Sequence, residues 1–242
     1  MIKPTDNPNT QNWFDLSRED FMSNWYKHEY ESNSYGGATG IAQKLMHQSL
    51  EKSYSKETNF DRVLEIGGNA GEHLSYVKHQ YAEYILSDLH DVLTDTQKAQ
   101  LRTINITFVQ ADALALPWHD ETFDRVLNTC VIHHVSDPEL ALSEIRRVLR
   151  PGGTADIFLT SDPGMAFRLA RRVGPLRSAN RRGLGDVKRL VAARDHRNHI
   201  GGLRVLLKHV FRNDTFTEST YPIPRMPWNL TLFHTFRVMK SY

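Results

Sequence analysis

Residues 60–71, running from Phe60 to Gly71, leave few folds open to this chain. Val63, Leu64 and Ile66 form an apolar run that is too short for a helix and carries β-branched residues, so it reads as a buried strand of a parallel sheet. Glu65 falls at the carboxyl end of that strand. Gly67, Gly68 and Gly71 follow at once, and a helical pattern, expected over about 70–80, begins with His73, Leu74 and Val77. A strand that ends in glycines and turns into a helix is a ligand-binding corner. Glycine permits positive φ and lets a ligand lie against bare backbone, and the helix start offers unpaired N–H groups.

A dinucleotide would ask for Gly-x-Gly-x-x-Gly, but the corresponding positions are Gly67, Asn69 and Glu72. An acid in the first helical turn is a poor neighbour for a pyrophosphate, whereas Glu65 at the strand end suits a cationic ligand. The stretch resembles motif I of the class I S-adenosylmethionine-dependent methyltransferases, Glu/Asp-x-Gly-x-Gly-x-Gly. Gly67 and Gly71 match it. Asn69 replaces the middle glycine, and asparagine tolerates left-handed backbone better than most residues. The resemblance implies S-adenosyl-L-methionine as cofactor, held by Glu65, Gly67, Gly68 and Gly71.

Further along, Tyr84–Asp88 reads as a second strand ending in an acid. Asp88 lies 21 residues beyond Gly67, the separation at which doubly wound folds place the carboxylate that binds ribose hydroxyls. Leu89 beside it is a further cofactor-binding candidate. A helix is expected over about 91–101 and a third strand over Ile106–Gln110. The stretch after that strand resembles the family segment in which an acid accepts from the adenine amino group. That resemblance gives the role to Asp112, with Ala113 supplying a backbone N–H. Residues 121–128 make a fourth strand, ending at Asn128 and Thr129. Glu65, Asp88, Asp112 and Asn128 thus each end a different expected strand, and open α/β sheets bind ligands at such carboxyl ends. Asp137 or Ser136 caps a helix with Pro138 in its first turn. Leu149 to Gly153, Leu-Arg-Pro-Gly-Gly, precedes a fifth strand over 155–159 and resembles a further family motif. Residues 215–221 and 230–239 alternate sufficiently for the last two strands.

The expected architecture is α/β, a Rossmann-like doubly wound seven-stranded sheet with an antiparallel last strand. Residues 1–55 form an N-terminal helical extension and 56–242 the methyltransferase domain, which includes a basic helical cap at about 161–213. The extension is aromatic-rich, with Trp13, Phe14, Phe21, Trp25, Tyr26, Tyr30 and Tyr35. Ser17 and Asp20 suggest a capping box. It is either a helix packed on the side of the domain or a lid, with the loop-like stretch 32–40 as hinge and a further helix at 38–54. Between Gly164 and Arg212 there are 13 Lys/Arg against two acids, a surface for something anionic if not merely a solvated face.

His133 and His134 follow the fourth strand, near the expected methyl position. Methyl transfer is an in-line displacement from a good leaving group, so alignment matters most, and a hydroxyl nucleophile also needs a base. The paired histidines resemble those of small-molecule and sugar O-methyltransferases, which makes either the candidate base. His196 and His199 alone do not define a metal site, and no metal is expected. The leading expectation is a methyltransferase acting on a hydroxyl of a sugar, glycolipid precursor or glycosylated natural product. The alternatives are an RNA methyltransferase, suggested by the basic segment, and a cofactor-binding scaffold without catalysis, suggested by Asn69. Adenine amino-methylation is disfavoured because Asn128 to Val131 lacks the Pro-Pro-aromatic stretch. Cys130 follows Thr129, not proline, which disfavours cytosine-C5 chemistry, and one cysteine excludes thiol-dependent arsenic methylation. That count rules out an internal disulfide and fits a reducing compartment. With no apolar signal segment at the start and no long apolar stretch, the expected location is cytoplasmic.

Overall fold

A computed structural model describes residues 13–17, 20, 21, 24, 25 and 37–242. Seven strands make one sheet: β1 (Asn59–Ile66), β2 (Gln80–Asp88), β3 (Ile106–Gln110), β4 (Phe123–Thr129), β5 (Leu149–Thr160), β6 (Thr215–Tyr221) and β7 (Phe233–Met239). The order is β3-β2-β1-β4-β5-β7-β6, with β7 antiparallel to both of its neighbours. Strand order reverses between β1 and β4, so the glycine corner after β1 opens at the switch point where such sheets bind ligands.

Both faces of the central strands are covered. Leu64, Ile66, Val126, Ala155, Ile157 and Leu159 point to one face and pack with α3 (Pro138–Val148) and α7 (Ile200–Val210). On the other face, Leu127, Phe158 and Phe233 meet Met46 and Leu50 of α1 (Gly37–Leu50), while Val63, Tyr84, Leu86 and Ile106 form a neighbouring cluster. Two-sided burial explains the adjacent apolar pairs Val63–Leu64 in β1 and Val126–Leu127 in β4, which do not alternate with polar residues. The sharp entry to α3 follows from its caps: the Asp137 carboxylate accepts from the Leu140 N–H at 3.0 Å, and Pro138 begins the helix. The helix α2 (Asp95–Arg102) starts at a full capping box built by Thr94 and Gln97.

Three expectations need correction. The helix expected over 70–80 is a single 3₁₀ stretch, Glu72–Tyr76. Glu51 is the reason: its buried carboxylate takes His73 Nε2 at 3.0 Å and the Lys78 N–H at 3.1 Å, pinning both ends of the segment before a helix can develop. Second, the basic cap is shorter than 161–213. It comprises α4 (Met165–Val173), α5 (Pro175–Arg181) and α6 (Gly185–Asp195). By contrast, α7 belongs to the sheet, with Ile200, Leu203 and Leu207 in the main core. Third, the helix expected at 38–54 runs over Gly37–Leu50 and so takes 37–40 from the expected hinge; the rest of that hinge lies outside the described residues.

The N-terminal aromatics have an unexpected partner. Trp13, Phe21 and Trp25 pack with Ala179, Leu184, Val187 and Val191 of the cap, away from the main core, and the Arg194 guanidinium lies 4.7 Å from the Phe21 ring centre. Of the expected capping box, the Asp20 N–H donates to Ser17 Oγ at 3.1 Å, and Ser17 Oγ donates in turn to the Asp20 carboxylate at 2.7 Å. These described aromatics of the extension thus share one satellite cluster with the insertion. Tyr26, Tyr30 and Tyr35 lie outside the described residues.

Candidate active site

The corner after β1 is built by close approach. Gly67 has φ +72°, and a Cβ there would lie 1.9 Å from Val131 Cγ2. Asn69 adopts the left-handed region at φ 44°, as its motif position requires. The Gly67 and Gly68 N–H groups donate to the Ser87 carbonyl at 2.8 and 3.0 Å, Asn69 N–H donates to Asp88 at 3.1 Å, and Gly71 N–H returns to the Gly68 carbonyl at 2.7 Å. These donors are consumed within the corner. It offers no open row of N–H groups for a phosphate, in line with a ligand that carries none.

The sheet register sets the remaining candidates side by side. Ile66 is level with Ser87 on β2 and with Asn128 on β4, and Asp88 is level with Gln110 at the end of β3. Asp88 accepts from Asn69 N–H and from His90 N–H at 3.0 Å, so it shapes the corner while keeping further acceptor capacity. Leu89 next to it is 53% exposed, an apolar surface at the mouth of the corner. Asp112 is exposed and accepts from Leu114 N–H at 2.9 Å, and Ala113 is buried beside it. Thr129 is half-buried at the tip of β4.

Asn128 is the most telling of the set. It is fully buried at the carboxyl end of β4, yet neither its amide nitrogen nor its amide oxygen has a hydrogen-bond partner among the described residues. Leaving a buried polar group unsatisfied costs about 1–3 kcal/mol, so a further polar partner is called for at this spot.

Glu65 sits differently from expectation. Its carboxyl is buried beneath the Gly68 backbone and accepts from the Tyr84 hydroxyl at 2.6 Å. Burial pushes its pKa up. It braces the corner from below and is not an open anion facing a ligand. Tyr84 and Ser87, which make this bracing, were not singled out in the sequence; inside an apolar strand they look like ordinary β formers.

The two histidines separate clearly. His133 is buried, and Thr160 N–H donates to its Nε2 at 3.0 Å. Nδ1 must then carry the proton, which it donates to the Asn198 carbonyl at 2.7 Å. Burial, with His196 and His134 nearby, pushes its pKa down to about 3. Both nitrogens of His133, one of the two candidate bases, are thus engaged within the protein. Asn198 completes the clamp, donating from Nδ2 to the carbonyls of Ile132 and Val135 at 3.0 and 2.8 Å. His134 faces the Asp195 carboxylate across 3.1 Å. Burial opposes its charge, but Asp195 and Cys130 outweigh burial and hold its pKa up at about 10. Cys130 itself takes positive φ, 70°, at the turn between β4 and the histidines. His196 packs edge-on against His134 at 4.7 Å between ring centres and lies 3.4 Å from Asp162. Among the described residues, no group of three or more His, Cys, Asp or Glu side chains is arranged to hold a metal ion.

Residues 64–157 match the model of a family described as a methyltransferase domain. Over this stretch the chain carries a methyltransferase domain. Curated relatives align with somewhat under half of the chain. The ubiquinone/menaquinone biosynthesis C-methyltransferase UbiE of Cronobacter sakazakii is 31% identical over 132 residues, 48% of this chain and 53% of that protein. The UbiE of Pasteurella multocida is 34% identical over 109 residues, 42% of this chain and 41% of that one. The chain thus spans about half the length of the curated relatives it matches. Solved structures extend the likeness to the whole fold. An S-adenosylmethionine-dependent methyltransferase from Thermotoga maritima superposes with a TM-score of 0.55 at 19% identity, covering 90% of this chain and 100% of that one. The CurJ carbon methyltransferase does so with a TM-score of 0.57 at 16% identity, covering 87% and 58%. The methyltransferase domain is of the kind that takes S-adenosylmethionine. Its glycine corner, with no phosphate cradle, and the unpartnered Asn128 amide fit that group.

Proposed function

We propose that the protein is an S-adenosylmethionine-dependent methyltransferase that uses His134 to deprotonate a hydroxyl of a small-molecule acceptor. The observation that carries this reading is the His134–Asp195 pair, placed directly beyond the β4 tip where Asn128 ends the sheet. Asp88 and Asp112 would hold the ribose hydroxyls and the adenine amino group, with Leu89 against the base and the Asn128 amide taking up polar atoms of the cofactor. S-adenosylmethionine, when bound, supplies a methyl group on a positively charged sulfur.

This chain's part is to align the acceptor and remove a proton. Asp195 positions the imidazole and stabilises it once charged, and His133, pinned by Thr160 and Asn198, fixes the loop on which His134 sits. The favoured acceptor is a hydroxyl of a saccharide, glycolipid precursor or glycosylated natural product. The curated relatives are named as C-methyltransferases. The same base serves a carbon acceptor when an adjacent hydroxyl is deprotonated and its charge passes to the ring carbon, and identifying the methylated atom in the product separates the two.

The pH profile tests the role. With the His134 pKa raised to about 10, the neutral, basic form grows tenfold per pH unit below that value. The rate constant kcat/KM is therefore expected to climb through the neutral range toward pH 10. Asp195→Asn removes a cause of the raised pKa and should move this limb to lower pH. A purely structural Asp195 would lower kcat without moving the limb. His134→Ala should abolish the limb together with turnover, and an unaltered profile in that variant removes His134 from the mechanism.

A second expectation concerns Asn128. Asn128→Leu has nearly the same shape and no unsatisfied amide. It should raise the stability of the ligand-free protein by about 1–2 kcal/mol while weakening S-adenosylmethionine binding at least about tenfold, measured by urea unfolding and by calorimetry. Lowered stability together with unaltered binding would show that the amide has no ligand to serve.

A further inference from the structure

The helix α4 follows the end of β5 through Asp162 and Pro163, and none of its nine residues is buried. It is nevertheless strongly amphipathic. Met165, Leu169 and Val173 recur every fourth residue, forming a single stripe, and are 59, 62 and 62% exposed. Arg168 and Arg172, also exposed, border the stripe on one side. An apolar stripe ordinarily faces a core; this one faces out. Beside it runs a groove of about 510 Å³ lined by Pro163, Met165, Arg168, Leu169, Arg172 and Asn229. Three of the six lining residues are apolar, and two of the other three are arginines.

We infer that α4 is an interfacial helix that docks the protein on an anionic lipid surface, with Met165, Leu169 and Val173 entering the headgroup boundary and Arg168 and Arg172 holding lipid phosphates. The charge around it favours this occupant. The cap from Met165 to Asp195 carries nine Lys/Arg against two acids. A second copy of the chain would bring two such surfaces together and be repelled, while an anionic bilayer gains about 1 kcal/mol per basic residue near it. A nucleic acid would match the arginines but gains nothing from an exposed row of aliphatic side chains, whereas a lipid surface uses both features at once. No described helix is long and apolar enough to cross a membrane, so this is attachment along the surface.

The location gives the docking a purpose that rests on the methyltransferase reading. Arg171 of α4 lies 3.6 Å from Asp162, Asp162 lies 3.4 Å from His196, and His196 packs on His134. The surface helix is thus a few side chains from the proposed base. An acceptor anchored in the bilayer, such as the glycolipid precursor favoured above, would be presented at that edge.

Flotation of the full chain with vesicles tests the inference. Binding is expected to vesicles of phosphatidylcholine containing one third phosphatidylglycerol and not to phosphatidylcholine alone, and to weaken at high salt. The double variant Leu169→Glu, Val173→Glu should reduce binding to the anionic vesicles at least about tenfold, since two charges replace two inserted side chains. Calorimetry with S-adenosylmethionine on the same variant should match the parent chain, which shows that it is folded. If the parent chain floats with anionic vesicles but binds no cofactor, the methyltransferase reading fails and the docking stands. Failure to float with anionic vesicles, flotation undiminished in the variant, a dimer that the variant dissolves, or binding of bulk RNA in place of vesicles would each overturn the inference.

Discussion

Replacing Arg125 with leucine is expected to destabilise the protein by about 3–5 kcal/mol, measured as a shift in the urea unfolding midpoint. Arg125 is fully buried in the centre of β4. Its guanidinium meets Glu51 at 2.6 Å and Asp156 at 2.9 Å and stacks 4.1 Å from the Tyr54 ring centre. Asp156 also accepts from the Tyr54 hydroxyl at 2.6 Å and from Arg237 at 2.7 Å, and Glu51 holds His73. Removing the arginine leaves two carboxylates facing each other's region without their shared cation. Lysine would be a poor replacement, since its single ammonium cannot serve both carboxylates as the guanidinium fork does. A double variant, Arg125→Leu with Glu51→Gln, should recover part of the loss, because the residues belong to one network. A loss below about 1 kcal/mol in the single variant would mean the network contributes little. The same network makes the fold acid-sensitive. Burial opposes the Glu51 charge, but His73 and Arg125 outweigh it and hold its pKa down at about 2. Its folded value lies below its unfolded one, so its contribution is complete above about pH 4.5 and is lost as pH falls toward 2. His47, 2.9 Å from His73, is pushed down to about 3 by burial and then by His73. It remains neutral where the unfolded chain would be charged, so stability begins to fall below about pH 6.5.

Gly67→Ala is expected to weaken S-adenosylmethionine binding at least about 100-fold and to cost the fold about 2–3 kcal/mol. Two separate penalties meet at this residue. A β-carbon at φ +72° is strained by about 1–2 kcal/mol, and it would sit 1.9 Å from Val131 Cγ2. Val131 begins the turn that carries His133 and His134, so relieving the clash moves the proposed base as well as the corner. Adding Val131→Ala removes the clashing methyl while leaving the backbone strain. Stability and binding should then return in part. Calorimetry and unfolding measured together check this: full binding in Gly67→Ala would show that the corner does not contact the cofactor.

The corner itself was legible in the sequence because local chemistry decides it. Positive φ at Gly67, Asn69 and Gly71 is a backbone demand that few residue types meet. The third and sixth strands run over Ile106–Gln110 and Thr215–Tyr221 as read, since turn residues bound them closely. Asp88, Asp112 and Asn128 could be placed at strand ends for the same reason: where an apolar run stops is a property of the run.

The two histidines show where such reading stops. His133 and His134 are identical in sequence terms, and only their partners distinguish them. Thr160, Asn198 and Asp195 lie between about 25 and 65 residues away along the chain and come together because the sheet sets the ends of β4 and β5 side by side.

Hydrophobic spacing and turn chemistry act over a few residues, so the sequence by itself determined the α/β class, the glycine corner and the strand ends that face it. Tertiary structure alone decided that Glu51 would hold the segment after the corner to a 3₁₀ turn, that Arg125 would find two distant carboxylates, and that His133 would be pinned and His134 paired. Those outcomes depend on which groups are left facing one another once the sheet excludes water, and a buried charge or imidazole takes its state from that neighbour, however far away it lies in the chain.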